Sequence, residues 1–186
     1  GDILHFGDEK FMRALAEEFP MMNTPKNSYG RVPLRAPEYI RRVAEIIKSG
    51  HVGATIIPHP ALPRDGISIG VAQEVLREHE KSDLKIAGIE ILNGICIRSM
   101  FPSKVPEKVH GGMNSEAASL LVFRSSVLTT KFRVPPTAGS DNHISYFGLT
   151  ATEILGVSER AVSNNDIAAV IDAMQKNSTR VHGNPL

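Results

Sequence analysis

The hydrophobic pattern along the chain alternates between short apolar runs and longer amphipathic stretches, which predicts strands and helices in alternation. Capping and stop residues mark several boundaries, with Asp8 before the first helix, Pro37 in the first turn of the second and Gly50 just after it. The predicted helices are residues 8–19, 37–49, 70–81, 114–130 and 164–176. The predicted strands are residues 2–6, 54–58, 85–92, 136–140, 148–155 and 179–183.

Residues 20–36 interrupt this alternation with a sequence rich in Pro, Asn and Gly. The composition predicts a long loop without regular structure. Loops of this length are uncommon inside compact domains and often carry function.

Strands that alternate with helices indicate an α/β fold with parallel strands and right-handed crossovers, either an open sheet or a closed barrel. Polar side chains follow three of the predicted strands; they are His59, Asn93, Asp141 and His143. A barrel builds its site from the carboxyl ends of several strands, whereas an open sheet collects its site at one switch point. The distribution of these residues therefore favours a barrel.

Composition is that of a single globular domain, with 186 residues, 41% hydrophobic residues, 22% charged residues and a net charge of +1. This charge balance argues against a protein that coats nucleic acid or lies on a membrane surface. No apolar run approaches the roughly 20 residues of a membrane-spanning helix. Cys96 is the only cysteine, so an internal disulfide is excluded and a cytoplasmic location is expected.

The segment TAGSDNH, residues 137–143, places Asp141 and His143 two positions apart. On an extended segment these side chains point the same way and can converge on one ion. A carboxylate and an imidazole together suit Zn, Mn or Fe, and Gly139 permits a close approach of the backbone. The alternative is an ordinary turn in which Asp141 caps backbone amides and His143 is exposed.

His59 lies between Pro58 and Pro60 at the end of a predicted buried strand. Because proline fixes φ, the two prolines restrict the backbone around the histidine and favour a functional role. The alternative is a core histidine that is hydrogen-bonded to a carbonyl group.

Further polar residues are candidates for supporting roles. Glu90 lies within the strand at 85–92, where a buried unpaired carboxylate is costly, so it should face water or have a cationic partner. Asn93 ends that strand and could orient a ligand. Arg35 and Arg64 lie on loops and could bind phosphate oxygens through their forked guanidinium groups, although most charged loop residues are simply solvated.

Three segments in order, ATIIPHP, AGIEILNG and TAGSDNH…FGLTATE, resemble the later motifs of the PHP (polymerase and histidinol phosphatase) family. In that family a strand is followed by Ala-His-Pro, then by Ile-Glu-x-x-Asn and Gly-Ser-Asp-x-His; Pro58 replaces the alanine here. The resemblance covers residues 52 to about 156. It implies a distorted, seven-stranded, TIM-like β/α barrel that binds two or three divalent metal ions (Zn, Mn or Fe) and hydrolyses a small phosphorylated substrate.

The resemblance also assigns roles by position. It implies that His59, Asp141 and His143 are metal ligands and that a metal-activated water, rather than a side chain, is the nucleophile. His5 is the nearest histidine to a further ligand position, for which Asp2 competes. Nucleic acid is possible as a substrate but is not indicated.

The opening motifs of the family, His-x-His, Asp-His and Gly-x-Glu, are not found in this sequence. Residues 1–186 therefore resemble the rear two-thirds of one PHP domain, incomplete at its N-terminus. We expect such a piece to be inactive by itself, with activity in a longer parent, and to associate with another copy through open barrel edges. The alternative function is a catalytically incomplete PHP-like module with a binding or structural role.

Overall fold

A computed structural model describes residues 3–20, 22–24, 27–31, 35–60, 66–82, 84–94, 115–139, 150–176 and 178–183. The strands are β1 (Leu4–Gly7), β2 (Met22–Thr24), β3 (Asn27–Arg31), β4 (Gly53–Ile57), β5 (Ile86–Asn93), β6 (Pro136–Gly139), β7 (Thr150–Ile154) and β8 (Thr179–Gly183). The helices are α1 (Glu9–Glu18), α2 (Ala36–Lys48), α3 (Ile69–Lys81), α4 (Ser115–Phe132), α5 (Glu159–Ser163) and α6 (Ile167–Gln175). These elements confirm the mixed α/β class and the predicted positions of the main strands and helices.

The central sheet has four strands in the order β1-β4-β5-β6. β4, β5 and β6 are parallel, as predicted, but β1 is antiparallel to β4, with Leu4 opposite Ile56 and Gly7 opposite Gly53. Two helices separate β1 from β4, instead of the single helix of a βα unit. The additional reversal of the chain brings β4 back in the opposite direction, so the expectation of parallel strands throughout was wrong for β1.

The predicted loop at residues 20–36 contains a short hairpin. β2 and β3 pair in antiparallel fashion, with Met22 opposite Arg31 and Thr24 opposite Asn27. The prediction of a loop without regular structure was therefore wrong. Periodicity did not reveal these strands because the sequence is too polar to show the alternation that marks a half-buried strand.

Both faces of the sheet are covered by helices. One face packs against α1 to α4 in a large cluster that includes Phe11, Ile40, Ile57 and Leu128. The other face packs against α6 in a smaller cluster; its buried members are Ala54, Ala87, Ile171 and Met174. Neighbouring positions along β4 and β5 therefore supply opposite faces, as the alternation of side chains in a strand requires.

A second sheet, formed by β7 and β8, lies against β6 without a backbone ladder between them. The contact is made by threonine hydroxyls. Thr152 accepts from the N–H of Ala138 at 2.8 Å and donates to its carbonyl at 3.2 Å, while Thr150 donates to the carbonyl of Gly139 at 2.6 Å. The described residues thus form an open four-stranded sheet with an attached pair of strands, and among them the predicted TIM-like barrel is not closed.

None of the described helices is long and apolar enough to span a bilayer.

Candidate functional site

His59 lies two residues beyond the end of β4 and has an uncommon backbone conformation. Its φ is +23°, a value that residues other than glycine rarely adopt. The preceding Pro58 and the following Pro60 are both buried, and the His59 ring is partly buried. Backbone strain of this kind persists where the surrounding structure imposes it, and it is concentrated at functional sites.

The contact that holds His59 in place comes from β5. The N–H of His59 donates to Oε2 of Glu90 at 2.6 Å, and the Glu90 side chain is buried, with 6% of its surface exposed. Glu90 therefore does not face water, and one of the groups it accepts from is this backbone amide. The prediction that a buried Glu90 has a cationic partner stays a prediction. Hydrogen bonds to a charged carboxylate are short and strong, and this one offsets part of the cost of burying the charge.

β6 ends directly beside this carboxylate. Gly139 lies opposite Asn93 in the register of β5 and β6, and a Cβ atom at position 139 would overlap Oε1 of Glu90. Any larger residue would force the Glu90 carboxylate to move, which gives a physical reason for the glycine that precedes residues 140–143. Asn93 is also buried, with 2% of its surface exposed.

A small cleft, partly open to solvent, lies at these strand ends; its cavity volume is about 10 Å³, room for about one water molecule. Its lining comes from β5, α4 and the segment after β4; the residues are His59, Pro60, Glu90, Ile91, Leu92, Asn93, Leu121 and Ser125. Leu121 and Ser125 belong to α4 and were not predicted from the sequence. The signal that could have found them is Ser125, a polar residue on the inward face of an apolar helix, where it is buried.

The His59 ring is the group in the cleft that is best suited to bind a ligand. Its Nδ1 atom is buried and has no hydrogen-bond partner among the described residues. Buried polar atoms are nearly always satisfied, so such an atom in a cleft is a position where a ligand would complete the site. A neutral imidazole nitrogen is a common ligand for Zn and related metals.

The described residues of this cleft supply some, but not all, of the ligands that a metal site needs. His59 and Glu90 bring an imidazole and a carboxylate to the same strand ends, but no group of three His, Cys, Asp or Glu side chains able to hold a metal occurs among the described residues. The predicted ligands Asp141 and His143 lie outside the described residues, as do Asp2 and Arg64. The chain enters the segment containing Asp141 and His143 immediately after Gly139.

His5, on β1, lies in a hydrogen-bond chain across the edge of the sheet. Its Nδ1 is 3.0 Å from the buried hydroxyl of Thr55, and its Nε2 is 2.8 Å from the hydroxyl of Tyr39. Burial lowers the pKa of His5 to about 4, so the ring is neutral at pH 7, and burial raises the pKa of Tyr39 to about 12. In this arrangement both ring nitrogens of His5 are engaged by side chains.

Arg35 lies immediately before α2 and is exposed. Its side chain forms no cap on the helix. The predicted role of Arg35 in binding phosphate therefore stays a prediction.

Comparison of this chain with models of protein families, with curated proteins and with solved structures found no match. The geometry of the cleft and the order of the motifs are thus the observations from which a function can be argued.

Proposed function

We propose that this chain carries part of the site of a metal-dependent hydrolase that acts on phosphate esters of small molecules. The observation that carries the proposal is the buried Nδ1 atom of His59, which lacks a partner among the described residues. His59 itself lines a cleft at the carboxyl ends of parallel strands. Ligand sites of α/β proteins are built at this end of the strands. The expected reaction, hydrolysis of a phosphate ester, comes from the resemblance of the three ordered segments to PHP-family motifs.

Each residue has a distinct part in the proposal. His59 is a metal ligand, together with Asp141 and His143 from the segment after Gly139. Glu90 acts through His59, because its carboxylate holds the backbone amide and so sets the direction of the ring. Groups that orient a ligand in this way commonly change metal affinity about 10- to 100-fold when they are removed.

A bound divalent ion would lower the pKa of a coordinated water and neutralise charge on the phosphate. The role proposed for the chain's own residues is to bind and position the substrate. Arg35 and Arg64 are proposed to contact phosphate oxygens. Leu92 and Leu121 contribute apolar surface to the lining of the cleft. Asn93 offers an amide beside the metal ligands for orienting the substrate.

Metal binding by the 186-residue chain is the first test. Equilibrium dialysis against Mn²⁺ and Zn²⁺, followed by elemental analysis, should show weak binding that falls at least ~10-fold in His59→Ala and in His143→Ala. His182→Ala is the matched control, because His182 is an exposed histidine on β8 that does not line the cleft. Equal binding by His59→Ala and His182→Ala would contradict the assignment of His59.

Activity is tested on the gene product that contains this chain, with a generic phosphomonoester or phosphodiester and added Mn²⁺ or Zn²⁺. His143→Ala should lower the rate at least ~100-fold, which is the lower range for removing a group that stabilises the transition state. An unchanged rate in His143→Ala would place the chemistry elsewhere. A protein that binds no metal and hydrolyses no phosphoester would support the alternative, a PHP-like module with a binding or structural role.

A further inference from the structure

The outer face of α4 is apolar and exposed. Leu120, Phe123 and Val127 are 44%, 65% and 47% exposed, and they are spaced four and three residues apart along one side of the helix. The inner face is also apolar: Ala118, Leu121 and Leu128 are buried, and the helix contacts β5 and α3. A helix that is hydrophobic on both sides is typical of one that is buried on both sides.

The charges of α4 all lie on this outer side. Glu116 is near the N-terminal end and Lys131 near the C-terminal end, and both are exposed. With about 100° of rotation per residue, the two charges and the three apolar side chains fall within roughly 80° of arc. Arg124 lies at the edge of this stripe, where its guanidinium can stay in water.

The stripe is self-complementary when the helix is reversed. Leu120 and Val127 are equally distant from a midpoint between residues 123 and 124, and so are Glu116 and Lys131. A twofold axis at this midpoint therefore sets Leu120 opposite Val127 of a second copy and Phe123 beside its own counterpart. It also brings Glu116 within reach of Lys131 of the second copy, which is the pattern that an isologous interface requires.

We propose that two copies of this chain associate through α4, packed antiparallel about that axis. Phe123 is the anchor, because large aromatic side chains at the centre of an interface contribute most of the binding energy. The charge pairs at the two ends select the antiparallel direction over the parallel one, in which Glu116 would face Glu116. Leu121 and Ser125, which line the cleft, lie on the inner face of the same helix, so the cleft stays accessible in the dimer.

The expected strength follows from the size of the contact. The stripe runs for about 22 Å along the helix, and a pair of helices of that length buries less than the roughly 1,200–2,000 Å² of a stable interface. We therefore expect a reversible dimer with a Kd of ~10–100 µM, which needs no metal or substrate.

Sedimentation velocity from ~5 to ~500 µM, spanning the expected Kd, tests the association. The wild-type chain should shift from monomer to dimer, and Phe123→Ser should raise the Kd at least ~10-fold. Val162→Ser is the matched control, since it removes an apolar side chain that is 62% exposed on another helix, and it should leave the Kd unchanged. A chain that stays monomeric throughout overturns the proposal, and so does a dimer that Phe123→Ser leaves intact.

A charge exchange tests the antiparallel direction. Glu116→Lys alone places two lysines together at each end of the interface and should weaken the dimer by ~3- to 10-fold at low salt. Glu116→Lys combined with Lys131→Glu restores opposite charges and should return the Kd to within ~2-fold of wild type. Circular dichroism at dilute concentration checks that each variant is folded. A double variant as weak as the single one would overturn the antiparallel arrangement.

Discussion

The backbone N–H of His59 donates to the buried carboxylate of Glu90 at 2.6 Å, and this hydrogen bond ties the segment after β4 to the interior of β5. Gly139, at the end of β6, packs against the other oxygen of the same carboxylate. The Glu90 side chain is thus the common contact of three parallel strands at the end where the cleft lies.

Removing the Glu90 carboxylate should destabilise the fold. In Glu90→Ala the N–H of His59 loses its acceptor inside the protein, and a buried donor left without a partner costs about 1–3 kcal/mol. Glu90→Gln retains an acceptor oxygen of the same reach and should cost about 1 kcal/mol or less. Urea unfolding of the two variants measures both values. Equal stability of Glu90→Ala and wild type would show that this hydrogen bond contributes little.

Gly139→Ala should destabilise the protein because the new Cβ displaces Oε1 of Glu90. Overpacking of a buried site typically costs about 1–3 kcal/mol. The cost should fall sharply when Glu90 is already alanine, since the atom that clashes is then missing, and a double-mutant cycle measures this coupling. Gly70→Ala is the matched control: position 70 has open space within α3, so the alanine should stabilise the helix by up to ~1 kcal/mol. Strictly additive effects of the changes at 90 and 139 would contradict the packing of Gly139 against Glu90.

Stability should depend on pH through His5. Its folded pKa of about 4 lies below the ordinary value of 6.5, so the unfolded chain binds more protons between these two values. Stability is therefore lost as pH falls from about 6.5 towards 4, by up to ~3 kcal/mol. His5→Gln retains a donor and an acceptor for Thr55 and Tyr39 but does not titrate. Urea unfolding at several pH values should give a flatter curve for His5→Gln, and parallel curves would refute the prediction.

Thr152→Val should loosen the attachment of β7 to β6. Valine has nearly the same shape as threonine, but the N–H and carbonyl of Ala138 lose the hydroxyl that serves them both. We expect a loss of about 1–3 kcal/mol in the free energy of unfolding. Thr130→Val is the control, because the Thr130 hydroxyl is exposed on α4 and donates only to the carbonyl of Ser126, one turn earlier. Its effect should stay within ~0.5 kcal/mol, and a similar loss in both variants would argue against a specific role for Thr152.

Much of the fold could be predicted from local sequence. The apolar runs at 54–58 and 85–92 and the capped amphipathic stretch at 8–19 specify their own secondary structure, because side-chain periodicity and end-capping act within a few residues. Asp8 illustrates this, since its carboxylate accepts from the N–H of Phe11 at 2.7 Å, as a cap should. The same local signals identified His59 as a residue held at the end of a buried strand.

What the sequence did not determine depends on contacts between residues far apart in the chain. The direction of β1 and the attachment of β7 through threonine hydroxyls are set by how the elements pack. Periodicity is the same for either strand direction. The partner of Glu90 is likewise a tertiary result, because the amide it accepts from is 31 residues away in the chain. Local sequence placed a histidine and a carboxylate on neighbouring strands, and only the packing of β4, β5 and β6 brought them into one cleft.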